Sequence, residues 1–291
     1  MQKNKRFMEK VSWKILKKVY RERDDWVHKH DFGNLLVIGG SKLYPTTPIL
    51  VALAAYRAGV DWVTIAAPEE ASKIIAGYSP NLMVHPFKGD YLSKYVIDDL
   101  IKISERRDAI EIGGGLTREE SVLEAIFDYL KRIDKPAVID DDAIYAFAKF
   151  KDELKGKNFV LTPHSYEFFI LSGIKVGNDV NERIEAVKKF AEDYSVTVLL
   201  KGHVDVISDG KKVAINTSGS TTMTKAGLGN TLAGILAAYL ARNVDSFTAA
   251  CAAAFVNGKA GELASKKLSE GILPTDLIEF IPEVVKRVIK Y

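Results

Sequence analysis

The chain has 291 residues, of which 47% are hydrophobic and 27% charged, and this mixture is typical of a globular protein with a large buried core. The net charge of +3 is too small to indicate a nucleic-acid or membrane-surface partner. One cysteine, Cys251, excludes a disulfide framework and favours a reducing cytoplasm, and no apolar run approaches the roughly 20 residues that cross a membrane. Abundant Lys and Glu with almost no Gln favour a thermophilic source.

The N-terminal segment, residues 1–30, is charged throughout and has no apolar core like that of a signal peptide. Val11, Ile15 and Val19 recur at helical spacing. We therefore expect a helical extension over residues 1–30, packed on the body or on a neighbouring subunit. Residues 31–291 are expected to form one domain, because no linker, repeat or low-complexity stretch interrupts them.

From residue 35 onward, short apolar segments alternate with helical patterns. The predicted strands are Leu35–Ile38, Trp62–Ala66, Leu82–His85, Ala109–Ile112, Ala137–Ile139, Phe159–Thr162, Thr197–Lys201, Asp205–Ser208 and Lys212–Asn216. The predicted helices are Pro48–Ala58, Glu69–Ala76, Tyr95–Ser104, Glu120–Ile133, Val180–Tyr194, Asn230–Arg242, Ser246–Leu268 and Pro274–Lys290. This alternation predicts an α/β protein whose mostly parallel sheet is covered on both faces.

Five of the predicted strands end in residues that could bind or react with a ligand. They end in Gly39-Gly40-Ser41, Gly113-Gly114-Gly115, Asp140-Asp141-Asp142, Thr162-Pro163-His164 and Lys201-Gly202-His203. In open parallel sheets the ligand lies beyond the carboxyl ends of the strands. We therefore expect glycines, acids, histidines and a lysine to converge on one edge of the sheet.

A glycine loop precedes the first of the three C-terminal helices. Gly227 and Gly229 flank Leu228 just before the helix predicted from Asn230. The first N–H groups of a helix lack internal partners and carry its positive dipole end, and glycines let an anion approach them. The loop thus indicates a phosphate site, although a plain glycine turn capped by Asn230 is an equally open interpretation.

The loop and the order of the other motifs resemble the ADP- or ATP-dependent NAD(P)H-hydrate dehydratases of the ribokinase-like superfamily. The resemblance runs from about Asp31 to about Val288. Its anchors are Val37-Ile38-Gly39-Gly40-Ser41, Tyr44, residues 52–59, Val63-Thr64-Ile65-Ala66, Leu82-Met83-Val84, Asp140 and Asp142, Leu161-Thr162-Pro163-His164, Glu167-Phe168, Leu200-Lys201-Gly202, Met223, residues 227–234 and Gly258-Lys259-Ala260-Gly261.

The resemblance implies a ribokinase-like three-layer α/β/α fold and a repair reaction. Hydrated NADH or NADPH would be phosphorylated on its added hydroxyl by ADP or ATP with Mg²⁺, and loss of phosphate would restore the cofactor. The sequence fixes no metal ligand, so Mg²⁺ would arrive with the nucleotide phosphates. A homo-oligomer, a tetramer in the family, is also implied.

The resemblance also assigns site residues by position. The hydrate would contact Thr47, Gly113, Gly115, His164 and Asn230. The nucleotide would contact Lys201, Gly202, His203, Val204, Asp205, Gly227 and Gly229. Asn230 falls where the family has its aspartate base.

A carboxamide cannot accept a proton near neutral pH, so Asn230 leaves three interpretations open. The chain could keep the dehydratase activity with another base, Asp205 or Asp140. It could phosphorylate a different small hydroxyl compound, or it could bind nucleotides without turning them over. One of the three aspartates 140–142 could also contact an ion or water, or cap a helix at Ala143.

Overall fold

A computed structural model describes residues 8–289. Across these residues ten strands form one sheet in the order β1-β10-β9-β8-β7-β6-β5-β2-β3-β4. The strands are β1 (Met8–Lys10), β2 (Asn34–Ile38), β3 (Trp62–Pro68), β4 (Met83–Phe87), β5 (Ala109–Ile112), β6 (Ala137–Ile139), β7 (Phe159–Leu161), β8 (Thr197–Leu200), β9 (Asp205–Ser208) and β10 (Val213–Asn216). The seven strands from β8 to β4 are parallel, and β9 pairs antiparallel with both β8 and β10.

Helices cover both faces of this sheet. They are α1 (Thr47–Arg57), α2 (Glu69–Tyr78), α3 (Ile97–Glu105), α4 (Glu120–Arg132), α5 (Asp142–Lys149), α6 (Ser165–Ser172), α7 (Val180–Tyr194), α8 (Leu228–Ala241), α9 (Ser246–Leu268) and α10 (Pro274–Val285). Side chains of α1, α2, α8, α9 and α10 fill one apolar core. Side chains of α3 to α7 fill the other. The predicted three-layer α/β/α class is confirmed.

The five strands that were expected to converge are consecutive neighbours in the sheet. β8, β7, β6, β5 and β2 lie side by side and parallel, so their carboxyl ends share one edge. Side chains alternate along each strand between the two cores. The predicted edge is therefore present, and the residues that follow each strand lie close together.

Helix α8 crosses the sheet in close contact with α1. A Cβ atom on Gly234 would lie 2.2 Å from the carbonyl oxygen of Val51, so only glycine allows this approach. Ala237 and Ala238 of α8 are fully buried, and Cys251 of α9 is 1% exposed, in the core as expected. The small residues thus let two helices pack tightly beneath the glycine loop.

The expected helix over residues 1–30 is wrong within the described part, residues 8–30. Strand β1 instead pairs with β10, and a short 3-10 helix follows at Trp13–Lys18. Ile15 and Leu16 are buried in the core shared with α8 and α9, so the segment packs on the body. Val11, Ile15 and Val19 are all buried, but only Ile15 lies in the 3-10 helix, and the pairing with β10 depends on contacts distant in sequence. Residues 1–7 lie outside the described part, and the division at residue 30 remains a prediction.

Two short helices were given no bounds from the sequence, although a helix start at Ala143 was considered. α5 and α6 each have eight residues and begin directly after their N-cap residues, Asp141 and His164. Such short segments give too few turns for a periodic pattern. No helix among residues 8–289 is long and apolar enough to cross a membrane.

Candidate functional site

A row of polar residues lies along the strand ends on the face covered by α8. Asp140 follows β6, Thr162 follows β7 and Lys201 follows β8. The Lys201 ammonium donates to Asp140 Oδ1 at 3.0 Å, and Thr162 Oγ1 donates to the same oxygen at 2.7 Å. Asp140 is 1% exposed, so its charge is held by these two neighbours. All recorded side-chain hydrogen bonds of Asp140 go to Oδ1.

Gly113 continues this row after β5. A Cβ atom there would lie 1.8 Å from the carbonyl oxygen of Asp140, and Gly113 has a φ of 150°. The adjacent Gly114 would meet the Thr47 methyl group at 2.8 Å and the Asn230 amide nitrogen at 3.2 Å. The glycines therefore let β6, α1 and α8 approach the end of β5 together.

The glycine loop starts α8, as the sequence indicated. Gly227 is the N-cap residue with a φ of 90°, and the first turn of α8 contains no acidic residue. Gly229 faces Lys201, since a Cβ atom at Gly229 would lie 3.3 Å from the Lys201 nitrogen. The helix N-terminus and a lysine cation are thus directed at the same space, where an anion is stabilised. Asn230 is within the first turn of α8 and does not cap it, so that interpretation is wrong.

One cleft of about 1680 Å³ contains these groups. Of the sequence-predicted residues, its walls include Thr47, Gly115, Asp140, His164, Lys201, Gly202, His203, Asp205, Gly227, Gly229 and Asn230. Gly113 and Val204 do not line it. Gly113 lies against the backbone of Asp140, where a Cβ atom would meet the Asp140 carbonyl oxygen.

Asp205 closes the turn that follows β8. Its Oδ1 accepts from the Gly202 N–H at 3.0 Å and its Oδ2 from Asn216 Nδ2 at 2.9 Å. Burial raises the pKa of Asp205 to about 6, although these hydrogen bonds oppose the rise. Because both oxygens already accept hydrogen bonds, Asp205 fixes the Gly202–Asp205 turn.

His164 is the N-cap residue of α6. Its Nδ1 accepts from the Tyr166 and Glu167 N–H groups at 3.1 and 3.3 Å, which leaves Nε2 as the protonated nitrogen, 3.3 Å from Glu167 Oε1. Burial and the nearby Lys201 cation lower the pKa of His164. A neutral imidazole therefore lies at the cleft wall.

Glu167 is a site residue that the sequence analysis did not single out. It is 3% exposed, its Oε2 accepts from the His164 N–H at 2.7 Å, and Lys201 lies 4.0 Å away. Burial raises its pKa to about 7, against the opposing effect of Lys201. Glu167 and His164 form a capping box, although histidine is not one of the residue types by which a capping box is recognised in a sequence.

Asp141 and Asp142 lie beside the row but turn toward Arg118, which the sequence analysis also missed. Arg118 Nε donates to Asp142 Oδ1 at 2.8 Å, and the Thr117 N–H donates to Oδ2 at 2.7 Å. Burial, followed by the charges of Asp142 and Asp140, raises the pKa of Asp141 to about 6. No side chain caps α5, so the capping interpretation is wrong. Within residues 8–289 no three His, Cys, Asp or Glu residues are grouped to hold a metal ion.

Comparison with known proteins identifies the family. The family model described as NAD(P)H-hydrate dehydratase matches residues 35–283. The chain is 41% identical over 261 residues to the bifunctional NAD(P)H-hydrate repair enzyme Nnr of Pyrobaculum aerophilum. The matched region covers 89% of this chain and 52% of that protein. It is 36% identical to the ADP-dependent (S)-NAD(P)H-hydrate dehydratase of Cenarchaeum symbiosum, with 91% of this chain and 92% of that protein covered.

A solved structure of a dehydratase also matches this chain. The ADP/ATP-dependent NAD(P)H-hydrate dehydratase of Bacillus subtilis, co-crystallised with ATP and Mg²⁺, matches with a TM-score of 0.83 and 26% identity, covering 97% of this chain and 99% of that one. The chain spans about half the length of the first curated relatives that it matches, which are bifunctional proteins. The fold is ribokinase-like, and the family suggested by the motifs is confirmed. This chain belongs to the NAD(P)H-hydrate dehydratase family.

Proposed function

We propose that this chain repairs hydrated NADH or NADPH in a reaction driven by ADP or ATP. The nucleotide's terminal phosphoryl group is transferred to the hydrate's hydroxyl oxygen, and that hydroxyl gives up its proton. The oxygen then leaves with the phosphate, a ring carbon loses a proton, and the double bond of the reduced nicotinamide is restored. The observation that carries the proposal is the cleft in which Lys201 and Asp140 face the glycine loop of α8.

The chain's own groups suit phosphoryl transfer. The start of α8 and the Lys201 ammonium supply positive charge where the phosphates would lie, and catalysis of this kind is mostly positioning and charge stabilisation. Burial alone would lower the pKa of Lys201, but Asp140 and Glu167 outweigh it and the pKa is raised. Lys201 therefore remains a cation at neutral pH.

Asp140 is the carboxylate best placed to receive the hydroxyl proton. Asn230 has no basic oxygen, and both oxygens of Asp205 already accept hydrogen bonds. Asp140 lines the cleft, and its Oδ2 has no recorded protein partner within residues 8–289. Asn230, beside Gly114 and Thr47, then orients the hydrate through its amide.

Magnesium is proposed only as a companion of the nucleotide. The described residues do not form a cluster suited to a resident metal ion, so no step of the proposed reaction is assigned to one.

The buried thiol of Cys251 fits a reducing cytoplasm. The homo-oligomer implied by the family can be tested by light scattering.

A second candidate function follows from Asn230 itself. Without an aspartate at that position, the chain could bind nucleotide and leave the hydrate unchanged. The same cleft serves both functions, so only turnover separates them.

The test combines hydrated NADH with purified chain, Mg²⁺ and either ADP or ATP, and follows recovery of the reduced-nicotinamide absorbance. We expect recovery with at least one nucleotide, and Asn230→Asp should raise its rate by roughly 10²-fold, the contribution of a positioned base. Asn257→Asp, which adds a carboxylate elsewhere on the cleft wall, is the matched control and should not raise it. Saturable nucleotide binding without recovery would favour the second candidate, and phosphorylation of an unrelated alcohol would indicate a kinase.

A further inference from the structure

Glu111 is a carboxyl group in the middle of an otherwise apolar strand. It lies between Ile110 and Ile112 in β5 and is fully buried. Neither carboxyl oxygen has a hydrogen-bond partner among the described residues. Burying a polar group without a hydrogen-bond partner costs on the order of several kcal/mol. The presence of Glu111 at this position therefore needs an explanation.

The register of the sheet shows where Glu111 points. Glu111 is opposite Val37 of β2 on one side and Val138 of β6 on the other. Both valines belong to the core that α8 covers, so the Glu111 side chain lies on that face. It therefore projects beneath α8, on the same face as the row of polar residues.

Asp140 is the diagonal neighbour of Glu111 on this face. It lies two residues beyond Val138 and continues the ladder through its N–H, which donates to the Ile112 carbonyl at 3.2 Å. Diagonal neighbours are about 7–8 Å apart, a span that a glutamate side chain can cover. Gly113, two residues beyond Glu111 on its own strand, has no side chain to intervene. Asp140 thus stands between Glu111 and the cleft.

Burial, followed by the negative charges nearby, keeps Glu111 neutral. Burial raises its pKa well above the ordinary value, and the negative charges of Asp140 and Asp141 raise it further. The elements that face Glu111, namely β2, β6 and α8, contain no Asp, Glu, Lys, Arg or His. Lys201, the cation in the row of polar residues, donates its hydrogen bond to Asp140. A carboxylic acid with a proton to donate therefore lies one strand away from Asp140, whose Oδ1 accepts hydrogen bonds from Lys201 and Thr162.

Once nucleotide is bound, the Lys201 ammonium can pair with either of two anions, the Asp140 carboxylate or a nucleotide phosphate. Its ammonium bonds Asp140 and also faces Gly229, where phosphates are proposed to lie. We propose that Glu111 is a positioning residue for Asp140. The carboxylic O–H of Glu111 donates a hydrogen bond to Asp140 when Lys201 turns toward the phosphates. Glu111 keeps its proton throughout, and the hydrate's proton goes to Asp140. The nucleotide trigger rests on the proposed function, whereas the Glu111–Asp140 pairing does not.

Infrared difference spectroscopy on the full chain tests the pairing without turnover. At pH 7 the wild type should show a protonated carboxyl band that is absent from Glu111→Gln, and Glu167→Gln identifies the separate contribution of Glu167, whose pKa is about 7. In Lys201→Met, which removes the ammonium without any ligand, the band should shift to lower frequency as Glu111 bonds Asp140. The shift should be absent in Lys201→Met combined with Asp140→Ala, and in the surface control Lys189→Met. Absence of the band at pH 7, or an unshifted band in folded Lys201→Met, would overturn the proposal.

A ligand titration gives a second readout if Lys201→Met does not fold. ADP added to the wild type should produce the same band shift in proportion to its occupancy measured by calorimetry, and saturation without a shift would contradict the proposal. In turnover, Glu111→Leu should lower kcat roughly tenfold with the nucleotide KM unchanged, and Glu111→Gln, which keeps a donor, should restore most of it. An equal loss in both variants would indicate a merely structural role. Failure of repair in the wild type would refute the proposed function and leave the spectroscopic result standing.

Discussion

Lys201 and Asp140 form an ion pair across the end of the intervening strand β7, with the ammonium nitrogen 3.0 Å from Oδ1. The side chain of Asp140 is 2% exposed and that of Lys201 is 20% exposed. The pair closes the bottom of the cleft, and the same lysine faces the glycine loop above it. A single cation therefore links the buried acid of the sheet to the candidate phosphate site.

Replacing Lys201 by methionine should destabilise the fold and weaken nucleotide binding. Removing one partner of a buried ion pair leaves an uncompensated charge, which costs about 3 kcal/mol or more. The free energy of unfolding from denaturant titration and the nucleotide affinity from calorimetry check both effects. Lys189→Met is the control, because the Lys189–Asp193 pair is exposed to water and its loss should leave the free energy of unfolding nearly unchanged. Equal losses in the two variants would contradict this account of Lys201.

Replacing Gly229 by alanine should separate binding from stability. Gly229 lies in α8 without a positive φ, so alanine fits the backbone and can add up to about 1 kcal/mol of helix stability. Its methyl group would occupy the space beside the Lys201 ammonium, where a phosphate would lie. We expect an unchanged or raised Tm with nucleotide affinity reduced roughly tenfold, about 1.4 kcal/mol.

The matched control for Gly229 is Gly77→Ala in α2. A Cβ atom at Gly77 would meet nothing within 4 Å, so the change should stabilise the helix and leave nucleotide affinity unaltered. Full nucleotide affinity in Gly229→Ala would remove the glycine loop from the proposed phosphate site.

Replacing Glu167 by glutamine should change how stability depends on pH. The pKa of Glu167 is raised from 4.5 to about 7, so the unfolded chain loses this proton at lower pH than the folded chain does. In the wild type this group therefore reduces stability progressively as pH rises from about 4.5 to 7, with no further loss above that. Glutamine keeps an acceptor for the His164 N–H and does not titrate.

The unfolding free energy of Glu167→Gln relative to wild type should thus increase between pH 4.5 and 7 and then level off. Denaturant titrations at a series of pH values measure the difference. The exposed change Glu124→Gln should give a difference that is flat over the same range. A flat difference for Glu167→Gln as well would show that Glu167 is not held protonated by burial.

The sequence alone determined the layers, most element positions and the edge that forms the site. Strands such as Ala109–Ile112 and Ala137–Ile139 were placed at their observed bounds, because an apolar segment that ends at a glycine or an acid is a local signal. The glycine loop at Gly227 and Gly229 was also predicted, since a helix start needs only neighbouring residues. The family followed from many such local motifs in order.

Only the tertiary structure decided which partners each polar group has. The Lys201–Asp140 pair joins residues 61 positions apart, and the placement of Asp205 depends on Asn216 in the neighbouring strand. The strand at Met8–Lys10 needed β10 to pair with, so its sequence alone suggested a helix instead. Glu111 was overlooked because a single acid in an apolar run shows nothing of its burial or of its diagonal neighbour Asp140. Hydrogen bonds, desolvation and charge coupling depend on distances that are set by packing, and these distances decide which carboxylates are free to react.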